Sequence, residues 1–328
     1  MSGEIKTKPN TSNETPQKKL NIVIVGGGIM GSDIAVIFLA CGWNVHIMSP
    51  SLNTRNTLPA RINAAIKKVH ISSKELGKLT TYSKFKDIDW ENTDLLIEAV
   101  TEDLALKQAL FLQIEKLARP DMPLASNTSN FQISEISKPL KHRARFLGIH
   151  FFMPAHLVPL VEVISGNDTD PKLVESICAL MKNIGKAPIW VKKDIPGFVG
   201  NRIQHALMRE ALYLMEEGVV SAKDIDIAVQ FGFGFRFLAC GPIMQKEMSG
   251  WDTNCKAGNA LYPHLNQATY FPSSMQKMVA QGHVGMKSLR GVWEWTEESA
   301  AAEKRRIEQS LQNSLKVIKD DLKKINGR

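Results

Sequence analysis

The chain has 328 residues, with 41 basic and 33 acidic side chains for a formal net charge of +8, and is 44% hydrophobic and 23% charged. That balance is ordinary for a globular protein of about two domains, and no apolar run reaches the ~18 residues of a membrane span. The four cysteines (Cys41, Cys178, Cys240, Cys255) follow no metal-ligand or disulfide-framework spacing, which predicts no metal site and a reducing, cytoplasmic setting.

Residues 1–18 are polar, contain two prolines and lack an apolar h-region, so they read as a disordered tail and not as a secretory signal. Order begins with the β-branched run NIVIV at 21–25, the pattern of a buried parallel strand. A helix follows over 29–40, then a strand over 45–48 and a helix over 57–69 with Pro59 in its first turn. The run DLLIEAV at 94–100 predicts another buried strand, and 104–117 a helix. Strands are expected at 123–126, 146–151, 161–164 and 188–191, with a helix over 172–183 between the last two. After Asp194-Ile195-Pro196-Gly197 the pattern turns helical, beginning NRIQHALMREALYLMEE. Gly218 suits a C-cap, and Ser221 with Asp224 a capping arrangement.

The segmentation is therefore a tail (1–18), an α/β domain (19–196) and a smaller all-α domain (197–328). Alternating strands and helices in the first domain predict a doubly wound sheet. The last stretch, 303–328, carries eight basic and four acidic residues. It reads as a solvated helix face, and no nucleic-acid-reading module accompanies it.

Gly26-Gly27-Gly28-Ile29-Met30-Gly31 fits GxGxxG directly between a strand and a helix. In that context it predicts a Rossmann-type dinucleotide site. Gly26 allows the tight turn, Gly28 admits the pyrophosphate and Gly31 lets the helix pack on the sheet. The N–H groups opening the helix at Ile29 and Met30 face the phosphates. An acid at the end of the second strand would hold the ribose 2′-hydroxyl of NAD. Ser49 stands there instead, with Arg55 six residues on. Either Ser49 bonds the ribose neutrally, or the missing charge and Arg55 admit NADP.

His150 ends the strand FLGIH, and Glu162 lies twelve residues later on VPLVEVI. On adjacent strands they form either a structural pair or a carboxylate-oriented general base.

The motifs GGGIMGSDIA, DLLIEAVTEDLALKQALF, SNTSNFQISEI, GIHFFMPAHLVPLVEVI and KKDIPGFVGNRI occur in one order across about 20–296. Together they resemble the 3-hydroxyacyl-CoA dehydrogenase family. The resemblance implies NAD as cofactor, a helical domain that dimerises, and a small-molecule substrate. It implies His150 as catalytic base, Glu162 as its orienting partner, and Ser129 and Asn201 as holders of the substrate oxygen. Ser129 also lies beside the nicotinamide. Glu102 and Lys107 are implied at the nicotinamide end, and Lys287 as a cofactor-contacting lysine.

Three departures from that pattern shape the substrate expectation. Met153 stands in HFFMP where the family has asparagine, removing a hydrogen-bonding side chain from the cofactor pocket. The coenzyme A-gripping segment is short, with Ala65 where a hydroxyl is expected. Arg236, in GFGFRFLACGP, resembles the L-gulonate dehydrogenase (lambda-crystallin) and carnitine dehydrogenase branches. There it serves either as a carboxylate clamp or as a structural residue. The expected function is oxidation of a secondary alcohol β to a carboxyl group. The alternatives are a short-chain 3-hydroxyacyl-CoA dehydrogenase and a catalytically silent dinucleotide binder.

Overall fold

The computed structural model describes residues 19–67 and 76–327. The tail expected over 1–18 and the end of the helix expected over 57–69 lie outside them. The first part runs β1 (Asn21–Val25), α1 (Ile29–Ala40), β2 (Asn44–Met48), α2 (Leu52–Ile66), β3 (Leu79–Tyr82), β4 (Leu95–Glu98), α3 (Leu104–Glu115) and β5 (Leu124–Ser126). It continues with α4 (Ile133–Ser137), β6 (Phe146–Phe151), β7 (Leu160–Ser165), α5 (Pro171–Asn183) and β8 (Ala187–Val191). These eight strands form one sheet in the order β3-β2-β1-β4-β5-β6-β7-β8. Among the described residues, only the β6–β7 pair is antiparallel. The order reverses at β1, between β2 and β4, and this switch point opens the crevice where such sheets bind ligands.

Alternation along the strands builds two cores. Ile22, Ile24, Val45 and Ile47 pack with Phe38 of α1 and Val174 of α5 on one face. Val23, Val25 and Leu96 pack with Phe111 and Ile114 of α3 on the other. This is the two-sided burial that makes parallel strands read as continuous apolar runs.

The start of α2 departs from the expectation. Ser51 caps it by accepting the Thr54 N–H at 3.2 Å, so the helix begins at Leu52 and Pro59 lies inside it. The cap outweighs the preference of proline for a first turn. Strand β3 and helix α4 escape sequence detection because they are four and five residues long.

The second part is helical: α6 (Gly200–Glu216), α7 (Ala222–Ala228), α8 (Gly234–Arg236), α9 (Pro242–Ser249), α10 (Trp251–Leu261), α11 (Ser273–Ala280), α12 (Glu297–Val317) and α13 (Lys319–Ile325). Gly218 follows α6 with φ 66°, and Ser221 caps α7 through the Asp224 N–H. These helices have few neighbours beyond those adjacent in the chain. None of α6 is buried, and of α12 only Ala300 is. Large side chains such as Phe231, Phe235, Met248 and Tyr270 stand two-thirds or more exposed. No described helix is long and apolar enough to cross a membrane.

Candidate active site

The antiparallel register of β6 and β7 sets His150 directly opposite Glu162. His150 Nδ1 lies 2.7 Å from Glu162 Oε2, and both side chains are buried. The other oxygen, Oε1, accepts the backbone N–H groups of Val199 and Gly200 at 2.9 and 2.8 Å. Burial works against charge on Glu162, but the bonds from His150, Gly200 and Val199 outweigh it and hold the carboxyl below its ordinary range. An ionised Glu162 accepts the proton of Nδ1, which leaves Nε2 as an acceptor. Ser129 Oγ lies 3.1 Å from that Nε2 and donates to it. Phe152 and Phe198 flank the imidazole, with ring centroids 4.6 and 5.8 Å away. Gly200 is required here, because a Cβ would run into the Phe152 ring.

Asn201, at the start of α6, donates from Nδ2 to the Ser129 carbonyl at 3.3 Å. The loop after β5 and the start of the helical part thus meet at one point. Asp194 strengthens the junction by accepting the Ile133 and Ser134 N–H groups at 2.9 and 2.7 Å. His150, Glu162, Ser129 and Asn201 are therefore brought together.

Glu102 is near the same point but faces the chain. Its Oε1 accepts the N–H groups of Ser129 and Asn130 at 2.9 and 3.1 Å, and the Thr128 hydroxyl. Burial opposes its charge, but Thr128, Lys107 and Ser129 outweigh that and hold its carboxyl low. Lys107, expected at the cofactor, is 1% exposed, with Nζ 2.7 Å from Glu98 and 3.2 Å from Glu102. Two carboxylates take its charge, and through Glu102 it supports the frame behind Ser129. Glu98 was missed because it sits in an apolar strand. It accepts Ser126 Oγ at 2.6 Å and the Val100 N–H at 2.7 Å.

The glycine turn fits a dinucleotide. Gly26 has φ 110°, and a Cβ there would stand 2.6 Å from the Ala99 carbonyl oxygen. A Cβ on Gly31 would collide with the Gly26 carbonyl, whereas one on Gly28 would meet no described atom within 4 Å, which leaves room for a phosphate. Helix α1 has no side-chain cap, and Ile29 at its start is 64% exposed. The N–H groups around Ile29 and Met30 are thereby left for an anion. Ser49 is buried at the end of β2, and its carbonyl accepts Arg55 Nη1 at 2.6 Å. Arg55 also donates to the Pro50 carbonyl at 2.8 Å. Arg61 carries no motif that sequence reasoning could find. From α2 it reaches the Gly27 and Gly28 carbonyls and, at 2.8 Å, Ser32 Oγ, setting a guanidinium beside the turn.

A model of the 3-hydroxyacyl-CoA dehydrogenase NAD binding domain matches residues 21–195, and one of the C-terminal domain matches 197–295. The chain belongs to the 3-hydroxyacyl-CoA dehydrogenase family. It is an NAD-dependent oxidoreductase acting on a CH–OH group. It is 31% identical, over 86% of its length and 93% of that protein's, to 5-formyl-3-hydroxy-2-methylpyridine 4-carboxylate 5-dehydrogenase of Mesorhizobium japonicum. It is 30% identical to 3-hydroxybutyryl-CoA dehydrogenase of Clostridioides difficile, over 84% of its length and 99% of that protein's. Among solved structures, an NAD+-dependent dismutase acting as 5-formyl-3-hydroxy-2-methylpyridine 4-carboxylic acid 5-dehydrogenase superposes with a TM-score of 0.88 at 28% identity. The match covers 92% of this chain and 99% of that one. The 3-hydroxybutyryl-CoA dehydrogenase PaaH1 of Ralstonia eutropha gives 0.67 at 31% identity, over 84% of this chain and 99% of that one.

Two expected residues of this dehydrogenase are not joined to the catalytic group within one copy. Arg236 lines a separate cavity of about 640 Å³ with Phe235, Leu238, Met248 and Val317. Its Nε and Nη1 donate to the Gln245 amide oxygen at 3.0 and 3.3 Å. The reason is the open helical part, which does not fold α8 back onto β6. Lys287 is exposed in the turn bridged between Gly285 and Arg290. No hydrogen bond or ion pair among the described residues ties it to the glycine turn. Met153 is 67% exposed on the loop after β6. That loop is fastened from below: Lys186 Nζ donates to the Ala155 and Val158 carbonyls at 2.6 and 3.0 Å, and Asp33 accepts the Ala155 N–H at 3.2 Å.

Proposed function

We propose that this dehydrogenase oxidises the secondary hydroxyl of a 3-hydroxy acid, free or held as a thioester, to the ketone, and catalyses the reverse reduction. The observation that carries the reading is the line Glu162–His150–Ser129, with Asn201 at its open end. His150 Nε2 takes the hydroxyl proton, and the carboxylate at Nδ1 stabilises the imidazolium that results. Ser129 Oγ and Asn201 Nδ2 orient the reacting oxygen. Phe152 and Phe198 keep water from the ring, which strengthens the His150–Glu162 attraction. NAD, when bound, supplies the hydride acceptor. The relatives named above include one enzyme of a free carboxylate and one of a coenzyme A thioester, and both substrate forms fit a base of this kind.

The test is initial-rate oxidation with NAD of L-3-hydroxybutyryl-CoA, L-3-hydroxybutyrate, L-gulonate and L-carnitine. Turnover of one or more supports the reading. Tight NAD binding with no turnover of any favours the silent binder.

We also propose a homodimer joined through the helical part. The accessible surface is 20442 Å², whereas a compact monomer of this size exposes about 13,500 Å². The helical part contributes to the surplus, since none of α6 is buried, and a second copy covering those helices would form an interface of the obligate class, about 2,000–5,000 Å² or more in total. Light scattering at micromolar concentration should give twice the chain mass, and a monomer there would overturn the proposal.

A further inference from the structure

A groove of about 730 Å³ begins at Asn201, beside Ser129, and runs along α6. Asn130 and Asn201 mark its inner end, and Arg202, His205 and Arg209 line its wall. Met208 and Leu212 supply apolar surface, and Tyr270 closes the far side. Among the described residues, no aspartate or glutamate lines it, and Arg202 donates only to the Pro196 carbonyl, at 3.3 Å. Within one copy, neither His205 nor Arg209 has a hydrogen bond or ion pair among the described residues. Glu210, the acid next to Arg209, accepts the N–H of Asn266 on the groove's opposite edge at 2.8 Å, which ties its carboxylate to the backbone there.

Helix geometry gives this wall its direction. Residues 202, 205 and 209 follow three- and four-residue steps and share one face. Eight residues separate Asn201 from Arg209, about 12 Å of rise. The carboxyl group of a 3-hydroxy acid lies only two bonds from the carbinol carbon. With the hydroxyl at His150 and Asn201, that group stays at the inner end. The cations farther out face a different part of the substrate.

We infer that His205 and Arg209 form a second oxyanion subsite, for an acidic group carried on the substrate remote from the reacting carbinol. This rests on the proposed oxidation of a 3-hydroxy acid and narrows its substrate class. The apolar surface between the two ends suits the intervening chain. The planar guanidinium of Arg209 binds a carboxylate or a phosphate in two-pronged fashion. The oxyanion has two sources, the terminal carboxylate of a dicarboxylic 3-hydroxy acid or a phosphate of coenzyme A.

The test compares paired substrates. One pair is 3-hydroxyadipate and its C6 methyl ester. The other is L-3-hydroxybutyryl-CoA and L-3-hydroxybutyrylpantetheine, which lacks the phosphates. The native enzyme is expected to prefer the charged member of at least one pair by tenfold or more in kcat/KM. Arg209→Met should reduce that ratio to twofold or less, and Arg209→Lys should restore part of it. The responding pair identifies carboxylate or phosphate. Native ratios near one in both pairs, or ratios unchanged in Arg209→Met, overturn the inference. Calorimetry on the NAD-bound enzyme, with adipate against monomethyl adipate and coenzyme A against pantetheine, separates this result from failure of the oxidation reading. If no compound is oxidised, tighter binding of a charged member that Arg209→Met abolishes still supports the subsite, and equal binding overturns it.

Discussion

His150 and Glu162 are cross-strand neighbours, buried and 2.7 Å apart, and the other oxygen of Glu162 holds the first N–H groups of the helical part. One carboxylate therefore orients the base and fastens α6, which carries Asn201. Glu162→Gln keeps the shape but has only one oxygen for two acceptor duties. We expect kcat to fall by about 100-fold or more and thermal stability to drop with it. A variant with native kcat and native melting temperature would show that the carboxylate serves neither purpose.

The lowered carboxyl pKa of Glu162 and that of Glu102 set an acid limit. A carboxyl depressed in the folded state contributes stability that is present above its unfolded pKa and is lost as pH falls through the folded value. Denaturant unfolding should therefore show stability declining below about pH 4.5, with a shallower decline in Glu102→Gln. Parallel pH profiles for the two proteins would rule out a contribution from Glu102.

Lys107 supports Ser129 through the Glu98 and Glu102 carboxylates. Removing one partner of a buried charged group costs about 3–5 kcal/mol. Lys107→Met should lower unfolding free energy by that amount. A variant of native stability whose only defect is weaker NAD binding would instead place Lys107 at the cofactor.

Lys186 gives a signature at the alkaline end. Burial pushes its ammonium down to about 8, and Cys41 and Asp33 offset part of that effect. Because the unfolded chain holds this proton more tightly, stability should rise between about pH 8 and 10.5. Measured against Lys186→Met, the native protein should gain unfolding free energy over that window. A constant difference from pH 7 to 10 contradicts the assignment.

Arg61 places a positive charge on the glycine turn, and Ser49 leaves the ribose end without one of opposite sign. We expect Arg61→Met to raise the NAD dissociation constant by about tenfold or more, as loss of one charge-assisted contact does. Ser49→Asp should weaken NADP relative to NAD by tenfold or more, through like-charge repulsion of the 2′-phosphate. Fluorescence titration reads both, and unchanged constants would remove either residue from the cofactor site.

The α/β architecture is legible in the sequence because parallel strands buried on both faces carry their pattern in short runs such as NIVIV and LLIE. His150, Glu162, Ser129 and Asn201 are legible because the motifs around them are specific. Glu98 and Lys107 are not. A charge within a buried strand and another on a helix reveal their pairing only when β4 and α3 are folded together. Arg61 and Arg209 escape for a related reason. Each lies on a helix face, and its neighbours come from distant segments: Gly27 and Ser32 are 34 and 29 residues from Arg61, and Asn266 and Pro272 are 57 and 63 residues from Arg209. The place of Arg236, in a cavity apart from His150 within one copy, is not legible because a local glycine-arginine pattern says nothing of where an open helical part carries it.

The most direct test of the central claim is the rate of NAD reduction by native enzyme and by His150→Gln, on whichever 3-hydroxy compound is turned over. NAD affinity would be measured in parallel by fluorescence. With His150 as the base, the variant should turn over about 100-fold or more slowly, while its NAD dissociation constant stays within twofold of native. Turnover within a few-fold of native would contradict His150 as the base and, with it, the mechanism.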